Sequence, residues 1–235
     1  MTEEEGKAEG LPVGEAVSTS PASRPRRLCR SGQYVNLAPL SLARHGNSLW
    51  EHTHSNGKER LWCYLAEGPF PDRASFDAYL LRKTSQEDPL FFAILNPQNR
   101  AVGFESLMRI EPVHRCIEIG NILLSPALQR TPGGTEAIFL LMEYAFDDLG
   151  YRRLEWKCDA LNAPSRRAAL RYGFTFEGIF RNHMVVKGRN RDTAWFSMLE
   201  TEWRQYRPAF ERWLNPNNFD PDGKERFSLA ALRAR

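Results

Sequence analysis

Short apolar stretches, several of them alternating with polar residues, recur along the chain and predict β-strands. Turn-forming residues separate them, as in "NPQNR" at 96–100, which predicts a tight connection between two strands. The predicted strands are, in order, "GQYVNLAPL", "LFFAIL", "AVGFESLMRI", "RCIEIGNILL", "RRLEWKCDA", "FTFEGIFRNHMVVKG" and "RDTAWFSML". The last two predict a terminal hairpin.

Apolar residues at helical spacing predict helices between these strands. One helix is expected over about 39–54, and a second begins at Pro71 and Asp72. The segment "TPGGTEAIFLLMEYAFDDLG" predicts a long helix closed by Gly150, and "NAPSRRAALRYG" predicts a shorter helix that ends at Gly173. The order of strands and helices favours a mixed sheet covered by helices over a purely parallel sheet.

The ends of the chain differ in composition from its centre. Residues 1–30 are rich in Glu, Gly, Ser, Pro and Arg and lack apolar periodicity, so they predict a flexible tail. One domain is expected over 31–214, closed by a helix in "EWRQYRPAFERWL". Residues 215–235 are expected to form a loosely ordered C-terminal tail.

Composition narrows the class of protein. The chain has 235 residues, 42% of them hydrophobic, without an apolar run long enough for a bilayer and without a signal-peptide pattern, so a cytoplasmic location is expected. A net charge of +3 does not favour a nucleic-acid partner. The four isolated cysteines predict reduced thiols, and His52 and His54 have no third ligand at a metal-binding spacing, so no metal site is predicted.

The stretch "LSPALQRTPGGTEAIF" at 124–139 places Pro132, Gly133 and Gly134 where a helix begins. The unpaired N–H groups at a helix start, together with the helix dipole, make a seat for phosphate. Glycines there would leave room for an anion, Pro132 suits the first turn, and Thr131 is suited to cap it. A plain tight turn into a helix is the alternative explanation.

The surroundings of this loop resemble the core of the GNAT superfamily of acetyl-CoA-dependent N-acetyltransferases, and most of all the branch of the ribosomal-protein alanine N-acetyltransferases. The likeness covers roughly 33–203. In the family's pattern Q/R-x-x-G-x-G/A, Gln129 takes the first position, Pro132 stands in place of the first glycine and Gly134 takes the last. A second block, "DALNAPSRRAALRYGF", matches D-x-x-N-x-x-S followed by a helix and G-F.

The resemblance implies a central mixed, mostly antiparallel sheet flanked by helices on both faces, with acetyl-CoA as co-substrate. It also implies that the sheet splays after the strand of "IEIG", where free backbone groups pair with the pantetheine arm and polarise the acetyl carbonyl. The residues expected to bind acetyl-CoA are Ile122, Leu123, Leu124, Gln129, Arg130, Thr131, Gly133, Gly134, Thr135 and Asn162.

Acetyl transfer to an amine needs a proton acceptor, because a primary amine with a pKa of about 10.4 is mostly protonated at neutral pH. Glu118, in the "E-I-G" of the resembled branch, is the candidate; a salt-bridged strand carboxylate is the alternative. Its neighbours Ile117 and Ile119 should point to the other face of the strand. Ser165 is the candidate donor to the leaving sulfur, or else a helix-capping residue. Many family members use a tyrosine where this chain has Ala169.

Aromatic residues early in the domain are expected to face the acceptor. The resemblance places the acceptor on the side opposite the cofactor, over the first helices and the terminal hairpin. Trp50, Trp62, Tyr64 and Phe70 are the candidate acceptor-binding residues, with core packing as the alternative for each.

The predicted function is transfer of acetyl to a primary amine by direct attack, because no Cys-His signature favours a covalent intermediate. The acceptor is either a protein N-terminus or a small molecule, and the protein is either a monomer or a homodimer. The alternative is a non-catalytic CoA-binding or RNA-associated module of the same fold.

Overall fold

The computed structural model describes residues 11–54 and 57–234, so the first ten residues of the predicted N-terminal tail lie outside it. Among the residues it describes, eight strands form one sheet, and six α-helices surround it. The strands are β1 (Arg30–Ser31), β2 (Asn36–Pro39), β3 (Leu90–Leu95), β4 (Ala101–Glu111), β5 (Cys116–Leu124), β6 (Arg153–Asp159), β7 (Thr175–Val186) and β8 (Arg189–Leu199). The helices are α1 (Leu42–Thr53), α2 (Arg73–Ser85), α3 (Pro132–Glu143), α4 (Ala163–Tyr172), α5 (Glu200–Leu214) and α6 (Leu229–Arg233).

The sheet runs in the order β1-β2-β3-β4-β5-β6-β8-β7. Only the pair β5–β6 is parallel, and the other neighbours are antiparallel. This confirms the predicted mixed, mostly antiparallel sheet. The long α3 provides the crossover that a parallel pair needs. It passes into a π-helical turn at Tyr144–Asp148, and Gly150 follows with a positive φ of 77°.

Both faces of the sheet are buried in its first half. Phe92 belongs to the hydrophobic cluster on the side of α3 and α5, whereas the adjacent Phe91 belongs to the cluster formed with α1 and α2. Successive strand side chains point to opposite faces, so a continuous apolar run such as "LFFAIL" contributes side chains to both hydrophobic clusters. In the described part of the chain, no helix has the length and apolarity needed to cross a membrane.

The C-terminal segment does not form the loose tail that its composition suggested. Leu229 and Leu232 of α6 are buried in the cluster that also holds α5, and the Arg212 guanidinium donates a hydrogen bond to the Leu232 carbonyl. Arg233 donates another to the Leu170 carbonyl in α4. The apolar pair Leu229 and Leu232 has helical spacing, but five residues of helix are stable only when docked.

Part of the predicted N-terminal tail also packs onto the domain. Ala22 is buried, and its N–H donates to the Pro112 carbonyl, while Ser23 N–H donates to the Leu149 carbonyl. Arg30 pairs with Glu143 and Asp148. The segment from 22 onward is therefore attached by backbone hydrogen bonds, which a composition-based prediction does not register.

Candidate active site

A gap in the sheet lies between β5 and β6. These strands pair only from Cys116–Arg153 to Glu118–Glu155. Beyond Glu118, no described strand pairs with the β6-facing edge of β5, which continues to Leu124. A β-bulge in β5 contributes to the divergence. Gly120 and Leu123 are three residues apart, but their partners on β4, Ser106 and Phe104, are only two residues apart. Asn121, inside the bulge, has a φ of 51°. A bulge bends its strand and increases the local twist.

The loop after β5 begins α3 in the way the sequence predicted. Thr131 caps the helix through its side chain, which accepts a hydrogen bond of 3.2 Å from Gly134 N–H, and Pro132 occupies the first turn. Among the described residues, the N–H groups of Arg130 and Gly133 have no acceptor, and Arg130 has a positive φ of 61°. Two free N–H groups at the positive end of a helix dipole form an anion-binding surface.

The structure gives a different reason for the two glycines from the one that the sequence suggested. A Cβ on Gly134 would lie 2.4 Å from the Leu128 carbonyl oxygen, and one on Gly133 would lie 2.9 Å from Val35 Cγ1. Both clashes are with the protein itself. The two glycines avoid these contacts because the loop and Val35, which precedes β2, pack tightly against the helix start, whether or not an anion is present.

The remaining residues predicted to bind acetyl-CoA differ in their burial and in their hydrogen bonds. Ile122 and Leu124 are half-buried against the α3 side, whereas Leu123 is buried against α1 and α2. The exposed Gln129 uses its side-chain amide to donate to the Leu124 carbonyl at 2.9 Å. Thr135 is buried in the first turns of α3, and its hydroxyl accepts a hydrogen bond of 3.0 Å from Arg171.

The second sequence block forms the other wall of the gap. Asn162 is the N-cap of α4, and its side-chain oxygen accepts a hydrogen bond of 3.1 Å from Ser165 N–H. Ser165 is thus a residue of the first turn, and its hydroxyl oxygen accepts a hydrogen bond of 3.0 Å from Trp156 Nε1. That bond leaves the Ser165 O–H proton available to another acceptor. Ala169 and Tyr172 are buried behind it.

Glu118 lies on the face of β5 opposite Ile117 and Ile119, as predicted. Its carboxylate is buried and has two cationic partners: Arg109 Nε at 2.9 Å and Lys157 Nζ at 3.0 Å. Burial raises the pKa of Glu118 above its ordinary value, and this effect exceeds the lowering by the two cations. The salt-bridged alternative for this residue is therefore correct in geometry, and it leaves a carboxylate with a raised pKa beside the gap.

Sequence reasoning missed the partners of Glu118. The alternation in "LEWKCD" places Leu154, Trp156 and Cys158 in the core and Lys157 on the opposite face, so the sequence pattern could have indicated Lys157 as a partner. No sequence pattern indicated Arg109. It has a φ of 49° at a second bulge in the β4–β5 pairing, where Asp88 accepts hydrogen bonds from the N–H groups of Arg109 and Ile110. That bulge directs the guanidinium to Glu118.

A second buried carboxylate, also missed, lies on β4. Glu105 is 0% exposed, sits opposite the bulge of β5 and has no hydrogen-bond partner on either oxygen among the described residues. Burial raises its pKa to about 8. Because β4 is buried on both faces, no alternation marked this residue in the sequence.

The predicted acceptor residues do not form one surface. Trp62 is 0% exposed, its indole donates to the Thr53 carbonyl, and five aromatic residues surround it, so the expectation that it contacts an acceptor is wrong. Trp50 and Phe70 line a separate small cavity of about 230 Å³. Tyr64 is 38% exposed, and its hydroxyl donates to the Leu161 carbonyl beside Asn162.

Comparison with known proteins agrees with this geometry. Residues 44–175 match the model of the acetyltransferase (GNAT) domain. The chain is 46% identical to a GCN5-related N-acetyltransferase from Brucella melitensis, with a TM-score of 0.90 over 92% of this chain and 98% of that one. It is 27% identical to the Bacillus subtilis protein named "Putative ribosomal N-acetyltransferase YdaF", over 74% of this chain and 96% of that protein.

A more distant solved structure shares the fold. It is an acetyl transferase from Salmonella typhimurium described as modifying the N-terminal serine of the 50S ribosomal subunit protein L7/L12. The two chains are 20% identical, with a TM-score of 0.62 over 72% of this chain and 96% of that one. At this identity the likeness concerns the architecture alone.

Proposed function

We propose that this chain, which belongs to the GNAT family of acetyltransferases and is an N-acetyltransferase, transfers acetyl from acetyl-CoA to a primary amine by direct attack. The thioester supplies the activated acetyl group. One observation carries the proposal. The gap between β5 and β6 begins at Glu118, and the loop at the end of β5 leads to the anion-binding start of α3. A base and a phosphate seat therefore flank one slot.

The helix start fits a diphosphate. Arg130 and Gly133 offer N–H groups without acceptors, and the Arg171 guanidinium, held by Thr135, adds a positive charge nearby. Pro132 offers no N–H, so these two groups are the main backbone donors proposed for the diphosphate. The open edge of β5 around Ile122–Leu124 is proposed to pair with the pantetheine arm, and Asn162 lies on the opposite wall.

Glu118 is proposed as the proton acceptor. A general base works best when its pKa lies near the operating pH, and burial moves the pKa of Glu118 upward toward that range. Lys157 and Arg109 stabilise the ionised carboxylate in its buried position. Together they hold the carboxylate in place as an acceptor, while burial keeps its pKa above the ordinary value of a glutamate.

Ser165 is proposed to donate to the departing sulfur. Its oxygen is already engaged by Trp156 Nε1, which orients the hydroxyl hydrogen away from that bond. Cys158 does not offer a covalent route, because burial raises the pKa of its thiol and keeps it protonated. This supports direct attack by the amine.

The test is thiol release from acetyl-CoA in the presence of amines and N-terminal peptides. Glu118→Gln is expected to lower kcat by about 10²- to 10⁴-fold, the usual contribution of a general base, while CoA affinity stays within about twofold. Glu155→Gln is the matched control, because Glu155 pairs with Glu118 in the register and also contacts Lys157. Equal losses in both variants, or no loss in Glu118→Gln, would contradict the role of Glu118.

A further inference from the structure

The face of the sheet that carries Glu118 lies on the side opposite α3. Lys157 pairs with Trp195 in the β6–β8 register, and Thr193 and Arg191 follow on β8 on the same face. His183 reaches this face from β7, with its Nδ1 2.9 Å from Thr193 Oγ1. We call the surface formed by Arg109, Lys157, His183, Arg191 and Trp195 the donor face.

Hydrogen-bond donors on the donor face outnumber the acceptors available to them. Trp195 Nε1 and Arg191 Nε are both buried, and neither has a hydrogen-bond acceptor among the described residues. Arg109 contacts Glu118 through Nε at 2.9 Å, and its side chain is 46% exposed. Buried donors are nearly always paired in folded proteins, so unpaired ones call for a ligand or water that supplies oxygen atoms.

Positive side chains also lie on the donor face. Burial lowers the pKa of His183, and Arg109, Arg191 and Lys157 lie close enough to lower it further. Carboxylates are present, but each is engaged: Glu118 with Arg109 and Lys157, and Glu155 with Arg153 and Lys157. Asp192 accepts hydrogen bonds from Asn182 N–H and Asn190 Nδ2.

The adjoining hairpin extends the positive surface. Between 181 and 192 it carries Arg181, Lys187, Arg189 and Arg191 against the single carboxylate of Asp192. An open depression of about 870 Å³ lies at the bulge of β7, lined by Phe180, Arg181, Asn182, His183 and Asp192. Space for a substituent therefore exists beside Phe180 and His183, whose ring centres lie 4.5 Å and 5.9 Å from that of Trp195.

A simple ammonium compound fits this environment poorly, because Arg109 and Lys157 already pair with Glu118, so a further cation beside them costs electrostatic energy. An amine that carries its own carboxylate avoids this cost. The carboxylate would offer acceptors to the unpaired donors, while the cations favour the neutral, nucleophilic form of the amine. Trp195 and Phe180, with ring centres 4.5 Å apart, give an apolar wall beside it.

From these contacts we propose that the acceptor is an amine bearing a carboxylate near the reacting nitrogen, held by Arg191 and Trp195 on the donor face. This inference rests on the proposed acetyl transfer. Two sources supply this chemistry: a small amino acid, or a protein N-terminus with an acidic residue close behind it. The proposal predicts that both are preferred over their uncharged counterparts.

The test compares matched acceptors in the thiol-release assay with the full chain. γ-Aminobutyrate is paired with γ-aminobutyramide, and the peptide amide Ala-Glu-Ala with Ala-Gln-Ala. In at least one pair the carboxylate member should have a kcat/KM about tenfold higher, the scale of a charge-assisted hydrogen bond. The pair that shows the preference identifies the source, and equal rates within both pairs would overturn the proposal.

Arg191→Gln should reduce the ratio within the preferred pair to near one. Each ratio is taken within one variant, so a general loss of activity cancels. Arg204→Gln is the control, because it removes the same charge from α5, where Arg204 pairs with Glu200 and is 74% exposed. An unchanged ratio in Arg191→Gln, or an equal change in Arg204→Gln, would also overturn the proposal.

Binding of the same four probes in the presence of CoA, measured by calorimetry, separates this inference from the proposed reaction. A carboxylate preference in binding without thiol release would support the donor face and contradict the acetyl transfer. Thiol release without a carboxylate preference would support acetyl transfer and contradict the donor face.

Discussion

Lys157 Nζ lies 3.0 Å from Glu118 Oε2 and 3.9 Å from the centre of the Trp195 ring, with only 4% of its side chain exposed. A buried ammonium is stable only when it is paired, and here Glu155 is a further partner at 2.6 Å. The base of the proposed reaction is thus one member of a buried charge network that spans β5 and β6. Its protonation depends on its neighbours.

The pH dependence of kcat/KM should reflect this network. Glu118 must be ionised to accept a proton, and its pKa is raised, so activity should fall on the acid side above the ordinary range of a glutamate. Lys157 lowers that pKa. Lys157→Met should therefore move the acid limb to higher pH by about one unit. Arg204→Gln should leave the limb in place, and a shift to lower pH in Lys157→Met would contradict the assignment.

Glu105 should destabilise the fold as pH rises. Its pKa is about 8 in the fold against an ordinary 4.5, so the stability that its bound proton supports is complete below about 4.5 and is lost as pH rises to about 8. Glu105→Met removes this dependence. Its unfolding free energy should exceed that of the parent by about 2–5 kcal/mol at pH 8, and by much less at pH 5, in urea titrations.

Glu136→Met is the control for Glu105, because Glu136 is also buried, at 4% exposure against 0%, but is fully paired. Its carboxylate accepts hydrogen bonds from the N–H groups of Gln33, Tyr34 and Val35 at 2.7, 2.6 and 2.8 Å. Removing it leaves buried donors unpaired and should cost about 2–4 kcal/mol. Stabilisation by both substitutions would show that pairing does not distinguish the two carboxylates.

Gly134→Ala should weaken both the fold and the phosphate loop. Alanine gains about 1 kcal/mol in helix propensity, but its Cβ would lie 2.4 Å from the Leu128 carbonyl, a backbone atom that cannot move without shifting the loop. We expect a net loss of about 1–3 kcal/mol and weaker CoA binding. Gly133→Ala meets a methyl group of Val35 that can give way, so its loss should be smaller. Thermal unfolding and calorimetry measure both effects, and the opposite order would contradict this account.

Leu229→Ala tests whether the C-terminal segment belongs to the folded domain. Leu229 is 0% exposed, and its truncation should cost about 2–4 kcal/mol of unfolding free energy in urea. Val113→Ala is the matched control, because Val113 is 76% exposed. Equal stability of the two variants would mean that α6 contributes nothing to the core.

The amino-acid sequence by itself determined the local structure. Asp72 and Thr131 cap the helices that begin after them, Gly173 ends α4 with a positive φ, and the strands from Leu90 onward follow the predicted order. Caps, turns and side-chain alternation depend on residues within four positions of one another, so the sequence displays them directly. The family resemblance located the slot, because its two motifs lie on the loop and the helix that form its walls.

Tertiary structure decided which side chains meet. Trp62 became a core residue because helices and strands distant in sequence enclose it, and Glu118 acquired its cations because a bulge turned Arg109 toward it. The C-terminal helix α6 packs against the domain because residues of α4 and α5 contact it. Register, bulges and packing join residues far apart in the chain, and their energies depend on the assembled burial and charge rather than on any local pattern.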